Sequence, residues 1–219
     1  MKRSFLPRSR VAFLRSLALS GVAAGALVLA CGGSSTDPGG PPGSDAGLID
    51  RGRLAAPLHP AASCLVTIDT PELVAGTHVV EGTAITYSSN PPSSGPHYPV
   101  WANFQEFTNP VDDGYLVHSL EHGGVALLYK CDPGPACTAT VDALKKIRDA
   151  LPMDPLCDAD IRVRVVIAPY PKMNLPVAAV SWGWTYTAAC VDVPTLTQFA
   201  KEHIAQGTEN TCAAGRTSF

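Results

Sequence analysis

The chain has 219 residues, 46% of them apolar, and its 16 Lys and Arg against 19 Asp and Glu give a formal net charge of −3 at pH 7. Five of the basic residues lie within the first fifteen positions, so the rest of the chain carries eleven basic and nineteen acidic side chains. Such an acidic balance argues against a nucleic-acid partner and against electrostatic adhesion to anionic headgroups.

Lys2, Arg3, Arg8, Arg10 and Arg15 precede an uncharged run from Ser16 to Ala30, the basic start and apolar centre of a secretory signal over residues 1–30. The run is shorter than the roughly 20 residues a spanning helix needs. It ends in Val28-Leu29-Ala30-Cys31, which resembles a bacterial lipobox, with Leu29 where a small or β-branched residue is usual. The resemblance implies that Cys31 receives lipid on its sulfur and becomes the new N-terminus, a covalent anchor to the membrane. Residues 31–60 then read as a tether. Gly32 to Gly47 holds six Gly, three Ser and three Pro and no apolar side chain larger than Ala46, too little to offset ordering entropy.

Residues 61–219 are long enough for one domain with its own core. Six cysteines fall here, Cys64, Cys131, Cys137, Cys157, Cys190 and Cys212. An even number in an exported chain, without a C-x-x-C pair, points to three disulfides rather than a thiolate metal site. The Pro-Gly turn inside Cys131-Asp-Pro-Gly-Pro-Ala-Cys137 favours a Cys131–Cys137 bridge. Cys190–Cys212 and Cys64–Cys157 are the pairings expected for the other four.

In chain order, Leu65 to Ile68 reads as a strand, and 78–80 with 84–87 as a short hairpin turning at Glu81-Gly82-Thr83. The apolar run Gly124 to Tyr129 reads as a strand buried on both faces. Thr140 to Leu151 places Val141, Leu144, Ile147 and Leu151 on one helical face, with Thr140 as cap. Ile161 to Ile167 alternates with Arg162 and Arg164 as a half-exposed strand, and Val177 to Trp182 is a further strand. Leu196, Phe199, Ala200 and His203 line one side of a last helix over about 193–206, which Pro194 opens and Gly207 closes. The fold class expected is α+β, one domain with a mixed central sheet, two helices and long ordered loops.

The chemistry concentrates in two segments. Tyr87-Ser-Ser-Asn-Pro-Pro-Ser-Ser-Gly-Pro-His-Tyr98 fixes φ at Pro91, Pro92, Pro96 and, just beyond, Pro99, so His97 is presented by a loop with little entropy left to lose. Val117-His-Ser-Leu-Glu-His-Gly-Gly124 puts His118, Glu121 and His122 on one side of a helical turn. Three imidazoles from two segments could hold a metal ion. Met173, in a turn before the 177–182 strand, is the discriminating residue: three imidazoles with a thioether suit copper, three with a carboxylate or water suit zinc. Copper is expected ahead of zinc, with His97, His118, His122 and Met173 as ligands and Glu121 orienting a ligand histidine. His118-x-x-Glu-His122 also fits the inverzincin pattern, so a zinc hydrolase with Glu121 as general base is the enzyme alternative. A metal-free envelope module contacting a protein partner through the proline loop is the third. His203 and His78 read as a packed histidine and the start of a strand, and Trp101, Trp182 and Trp184 as core or pocket wall.

Tyr87 to Tyr98, Trp101-Ala102, Val117 to Gly123, Pro169-Tyr-Pro171 with Met173, and Trp182-Gly183 resemble, in order and spacing, the bacterial family named domain of unknown function 3105. The similarity spans roughly residues 61–219. Ser181-Trp-Gly-Trp184 departs from the Ala-Trp-Gly-Arg common in that family. The resemblance implies a shared fold and site and no particular reaction. Together these features predict an extracytoplasmic, lipid-anchored protein of the cell envelope that binds a transition metal.

Overall fold

The computed structural model describes residues 60–219. The expectations for the signal, for Cys31 and for the tether up to residue 59 lie outside the described residues. What is described is a mixed α+β domain. Five strands, β1 (Thr67–Asp69), β2 (Val125–Tyr129), β3 (Val165–Pro169), β4 (Val177–Ser181) and β5 (Trp184–Ala188), form one sheet in the order β1-β5-β4-β2-β3. Only β2 and β3 run parallel; the other neighbours are antiparallel. Three helices accompany it, α1 (Asp113–Glu121), α2 (Pro135–Ala150) and α3 (Val193–His203), one more than the sequence suggested.

Period-two alternation sorts the strands between two apolar layers. Ala126, Leu128, Val166, Ala168, Ala178 and Val180 face a layer built with α1 and the preceding loops. Val125, Leu127, Val165, Ile167, Val177 and Ala179 face α2 and α3 through Leu144, Ile147, Leu196 and Phe199. A sheet covered on both sides explains why the β2 sequence is apolar throughout. The outer edge of β3 is occupied by residues 105–107, which exchange hydrogen bonds with Ile167 at 2.7 and 2.9 Å. Among the described residues no helix is long and apolar enough to cross a membrane.

Several elements differ from expectation. The 78–87 hairpin does not form: Thr83 N–H closes a turn on Val80 at 3.0 Å, and His78 instead bridges His97. The chain there pairs with the proline loop, which competes for the same backbone groups. α2 starts at Pro135, not Thr140, because Pro at the first turn is pre-set for a helix; Thr140 lies inside and its hydroxyl donates to Ala136 O at 3.1 Å. β5 follows β4 after a tight turn at Gly183, whose φ of +76° suits glycine. Arg164 precedes β3 and is 1% exposed, contrary to a half-exposed strand, because its guanidinium is satisfied internally by Asp154 at 2.7 Å and the His122 carbonyl at 2.8 Å.

The domain carries three disulfides among the described residues, Cys64–Cys190, Cys131–Cys137 and Cys157–Cys212. The expected Cys190–Cys212 and Cys64–Cys157 pairings are corrected. Antiparallel pairing of Thr67 with Thr187 sets the start of β1 opposite the end of β5, and Ala189 N–H donates to Cys64 O at 2.7 Å, which brings Cys64 to Cys190. Arg164 ties Asp154 to Asn210 and so draws Cys212 to Cys157. Such bridges are characteristic of proteins from oxidising compartments.

Candidate metal centre

Helix α1 is short because of its ends. Asp112 caps it by accepting from Gly114 N–H at 3.0 Å, and Gly123, at φ +80°, ends it. Gly123 N–H and Gly124 N–H bond back to Leu120 and Ser119 at 2.9 Å each, the paired closure of a Schellman motif. Two and a half turns suffice to put His118, Glu121 and His122 on successive turns of one face. All three are buried, at 3%, 8% and 3% exposure.

The proline loop delivers His97 to the same place. Tyr87 donates to Pro96 O at 3.0 Å, Ser94 accepts from Val74 N–H at 3.1 Å, and Gly183 N–H donates to Ser93 O at 2.8 Å. His97 exchanges backbone hydrogen bonds with Thr77 and Val79, which sets His78 beside it. The ring centroids of His78, His97 and His118 are 4.7 to 5.1 Å apart. One ligand atom each from His78, His97, His118 and Glu121 lies within 4.8 Å of all the others. Ligands around a tetrahedral ion bound at about 2.0–2.2 Å are roughly 3.5 Å apart. Closing the group around an ion therefore needs a contraction of up to about 1.3 Å for the widest pair and a slight opening of the His97–Glu121 pair, and exposed His78 has room to move.

The protons on the rings follow from their partners. His97 Nδ1 meets Gly95 O at 2.9 Å and His118 Nδ1 meets Tyr98 O at 2.6 Å. A carbonyl oxygen only accepts, so each Nδ1 carries a proton and the neutral ring keeps its lone pair on Nε2. His97 Nε2 is 2.8 Å from Glu121 Oε2, yet it is a buried nitrogen with no hydrogen-bond partner among the described residues. A bare lone pair facing a carboxylate calls for a cation between them, either a proton or a metal ion. His118 Nε2 lies 3.1 Å from His122 Nε2, which also lies 3.1 Å from Glu209 Oε2.

Burial lowers the pKa of both His118 and His122 to about 4, so both are neutral at pH 7. Burial works to raise the Glu121 carboxyl, but contact with His97, the neighbouring imidazoles and a 3.3 Å hydrogen bond from Thr208 outweigh it, and its pKa lies below the usual glutamate value. Trp101 covers His118 and His122 at 5.3 and 4.5 Å, and Trp182 stands edge-on to His97 at 6.3 Å. Trp184 lies on the opposite face against His203, whose Nδ1–H donates to Phe199 O at 2.7 Å.

Of the residues named from sequence, His97, His118 and Glu121 converge. His122 stands one ring further along, against Glu209. Met173 is buried in the apolar layer that includes Tyr170 and Trp182, with its carbonyl accepting from Lys130 at 2.8 Å. His78, Glu209 and Gly76 are additions. No local pattern singles them out: His78 reaches the site through its bridge to His97, and Gly76 matters because a side chain there would overlap Glu121 Oε1.

Residues 78–216 match the family model described as "Protein of unknown function (DUF3105)". The match covers more than half of the chain, which therefore belongs to this family. Neither curated proteins nor solved structures give a match.

Proposed function

We propose that this DUF3105 member binds one divalent transition-metal ion through His78, His97, His118 and Glu121 and serves in metal handling at the cell envelope. The observation that carries the reading is the pair of Nδ1–H groups committed to Gly95 O and Tyr98 O. Backbone carbonyls that hold the tautomer and keep the lone pair on Nε2, that of His97 facing Glu121 and that of His118 facing His122, are the usual outer support of metal-binding imidazoles. Three nitrogens with a carboxylate oxygen suit Zn2+ or Cu2+; Cu+ prefers sulfur, so the case for copper no longer leans on Met173. With Glu121 turned to His97 and Thr208, a ligand role fits it better than that of a free general base, and this weighs against the hydrolase reading. Three disulfides agree with an extracytoplasmic address, and lipid on Cys31 would supply the anchor.

A second reading rests on the same 2.8 Å contact. A proton on His97 Nε2 would make an imidazolium–carboxylate pair and the cluster a metal-free structural hub. Elemental analysis of tag-free protein, after Zn2+ or Cu2+ challenge and desalting, separates the two. Near one equivalent in the wild type, lost in both His118→Ala and Glu121→Gln, is expected. No retained metal from either ion refutes the metal reading and supports the hub. For the address, Cys31→Ser is expected to leave the membrane fraction, and unchanged retention refutes the anchor.

A further inference from the structure

A cavity of about 700 Å³, whose lining includes none of the clustered histidines nor Glu121, lies between the 151–156 segment, the end of α3 and the 205–210 turn. Its size is that of small-molecule sites, which are mostly apolar with a few placed polar groups. Leu151, Met153, Leu156 and Ile204 give it apolar walls, and Met153 and Leu156 remain 54% and 50% exposed. Exposed large apolar side chains gathered around a concavity are one signature of a ligand-binding groove.

The walls are held in place before anything binds. Arg162 donates to Leu151 O and Arg148 O at 2.7 Å each, Asp154 accepts from Leu156 N–H at 2.9 Å, and the Cys157–Cys212 bridge ties down the adjoining chain. Pre-formed walls reduce the ordering cost of binding. The charges are unequal. Arg164 on the lining is neutralised by Asp154 and further engaged by His122 O and Asn210 Oδ1. Lys201 also lines the cavity, is exposed, and has no ion-pair partner among the described residues. One uncompensated cation beside an apolar hollow selects a ligand with one negative end and a hydrocarbon body.

We propose that this cavity binds a free monoanionic amphiphile, a long-chain carboxylate, with its chain against Leu156 and Ile204 and its head at Lys201. The inference does not rest on the metal reading.

The test is calorimetric titration of the full chain with dodecanoate and, separately, with dodecyltrimethylammonium, both kept below micelle formation. The two probes share a tail and differ in charge. One equivalent of dodecanoate is expected to bind, at least about tenfold tighter than the cationic probe. Lys201→Glu should reverse the ranking, and Leu156→Asn, which adds no charge, should weaken both probes. Both positions are exposed, and unchanged thermal melts verify folding. Absence of saturable dodecanoate binding, binding of several equivalents, equal affinity for the two probes, or indifference to Lys201→Glu each overturns the proposal.

Discussion

Gly76→Ala is the sharpest probe of the centre, because it changes none of the proposed ligands and reaches one of them directly. A methyl at position 76 would overlap Glu121 Oε1, lie 3.2 Å from Glu121 Cδ and 3.1 Å from His97 Cε1. The obstructing atom is the end of a flexible side chain, so the carboxylate swings aside while the backbone stays. It then loses the His97 contact and the Thr208 hydrogen bond. Hydrogen bonds to charged groups are worth about 1.5–3 kcal/mol, and a displaced ligand or its support costs about 10–100-fold in metal affinity. Overpacking adds about 1–2 kcal/mol of destabilisation.

The assay is a Zn2+ competition titration against a chromophoric chelator, with urea melts on the same preparations. Gly76→Ala is expected to bind roughly as weakly as Glu121→Gln while staying folded. Gly207→Ala is the contrast. There the added methyl would overlap backbone, Glu121 O and Gly123 N, which cannot swing away. That variant should lose stability first, by about 2 kcal/mol or more. If Gly76→Ala is folded and retains wild-type affinity, the carboxylate is not a ligand and the reasoning fails.

Acid should destabilise the metal-free domain between pH 6.5 and 4. The unfolded chain protonates His118 and His122 near the ordinary value, the folded one only near 4, so the unfolded state binds more protons in that window and stability falls with pH. Glu121 adds in the same direction below its ordinary range, where its folded-state advantage is lost. Urea midpoints should drop across the window, and less steeply in His118→Asn, where His122 alone of the two still titrates; a midpoint constant from pH 7 to 4.5 refutes this. Paired Cys→Ser variants should rank by loop length. Separations of 126, 55 and 6 residues correspond to about 5, 4 and 2 kcal/mol, so Cys64/Cys190 should cost most and Cys131/Cys137 least in urea. Asp154→Leu should cost about 3–5 kcal/mol by leaving Arg164 buried without its carboxylate. Adding Arg164→Met should restore only part, since His122 O and Asn210 then lose their donor. Full recovery in a double-mutant cycle contradicts that arrangement.

Those elements with a strong local signature are where sequence and structure agree. The continuous apolar run at 125–129 and the apolar faces of α2 and α3 read directly, because burial on two faces or one leaves a periodic trace. β5 does not: Trp184–Ala188 has a strand composition, but the turn that separates it from β4 is only two residues, so the two strands merge into one strand-like stretch in the sequence. Arg164 departs from the alternation pattern because a guanidinium with enough internal acceptors can be buried. The disulfides of long separation depend on strand order, which no spacing reveals.

The same distinction governs the centre. His118 and Glu121 are legible as a pair because three residues of helix bring them to one face, and His97 because prolines hold the loop that carries it. His78 is not legible as a site residue, since its place comes from a two-residue bridge to His97 in the proline loop, which packs against residues 74–79. That bridge is also what exposes the group to solvent. His97, His118 and Glu121 are enclosed by Trp101, Trp182 and Gly76, whereas His78 is exposed. An ion entering from outside would therefore meet His78 first, and the three buried donors, with two ring tautomers already set by backbone carbonyls, need shift only by about 1 Å to receive it. A site with one exposed and three fixed ligands fits uptake and release better than permanent structural burial of the metal, which is why handling is the role proposed.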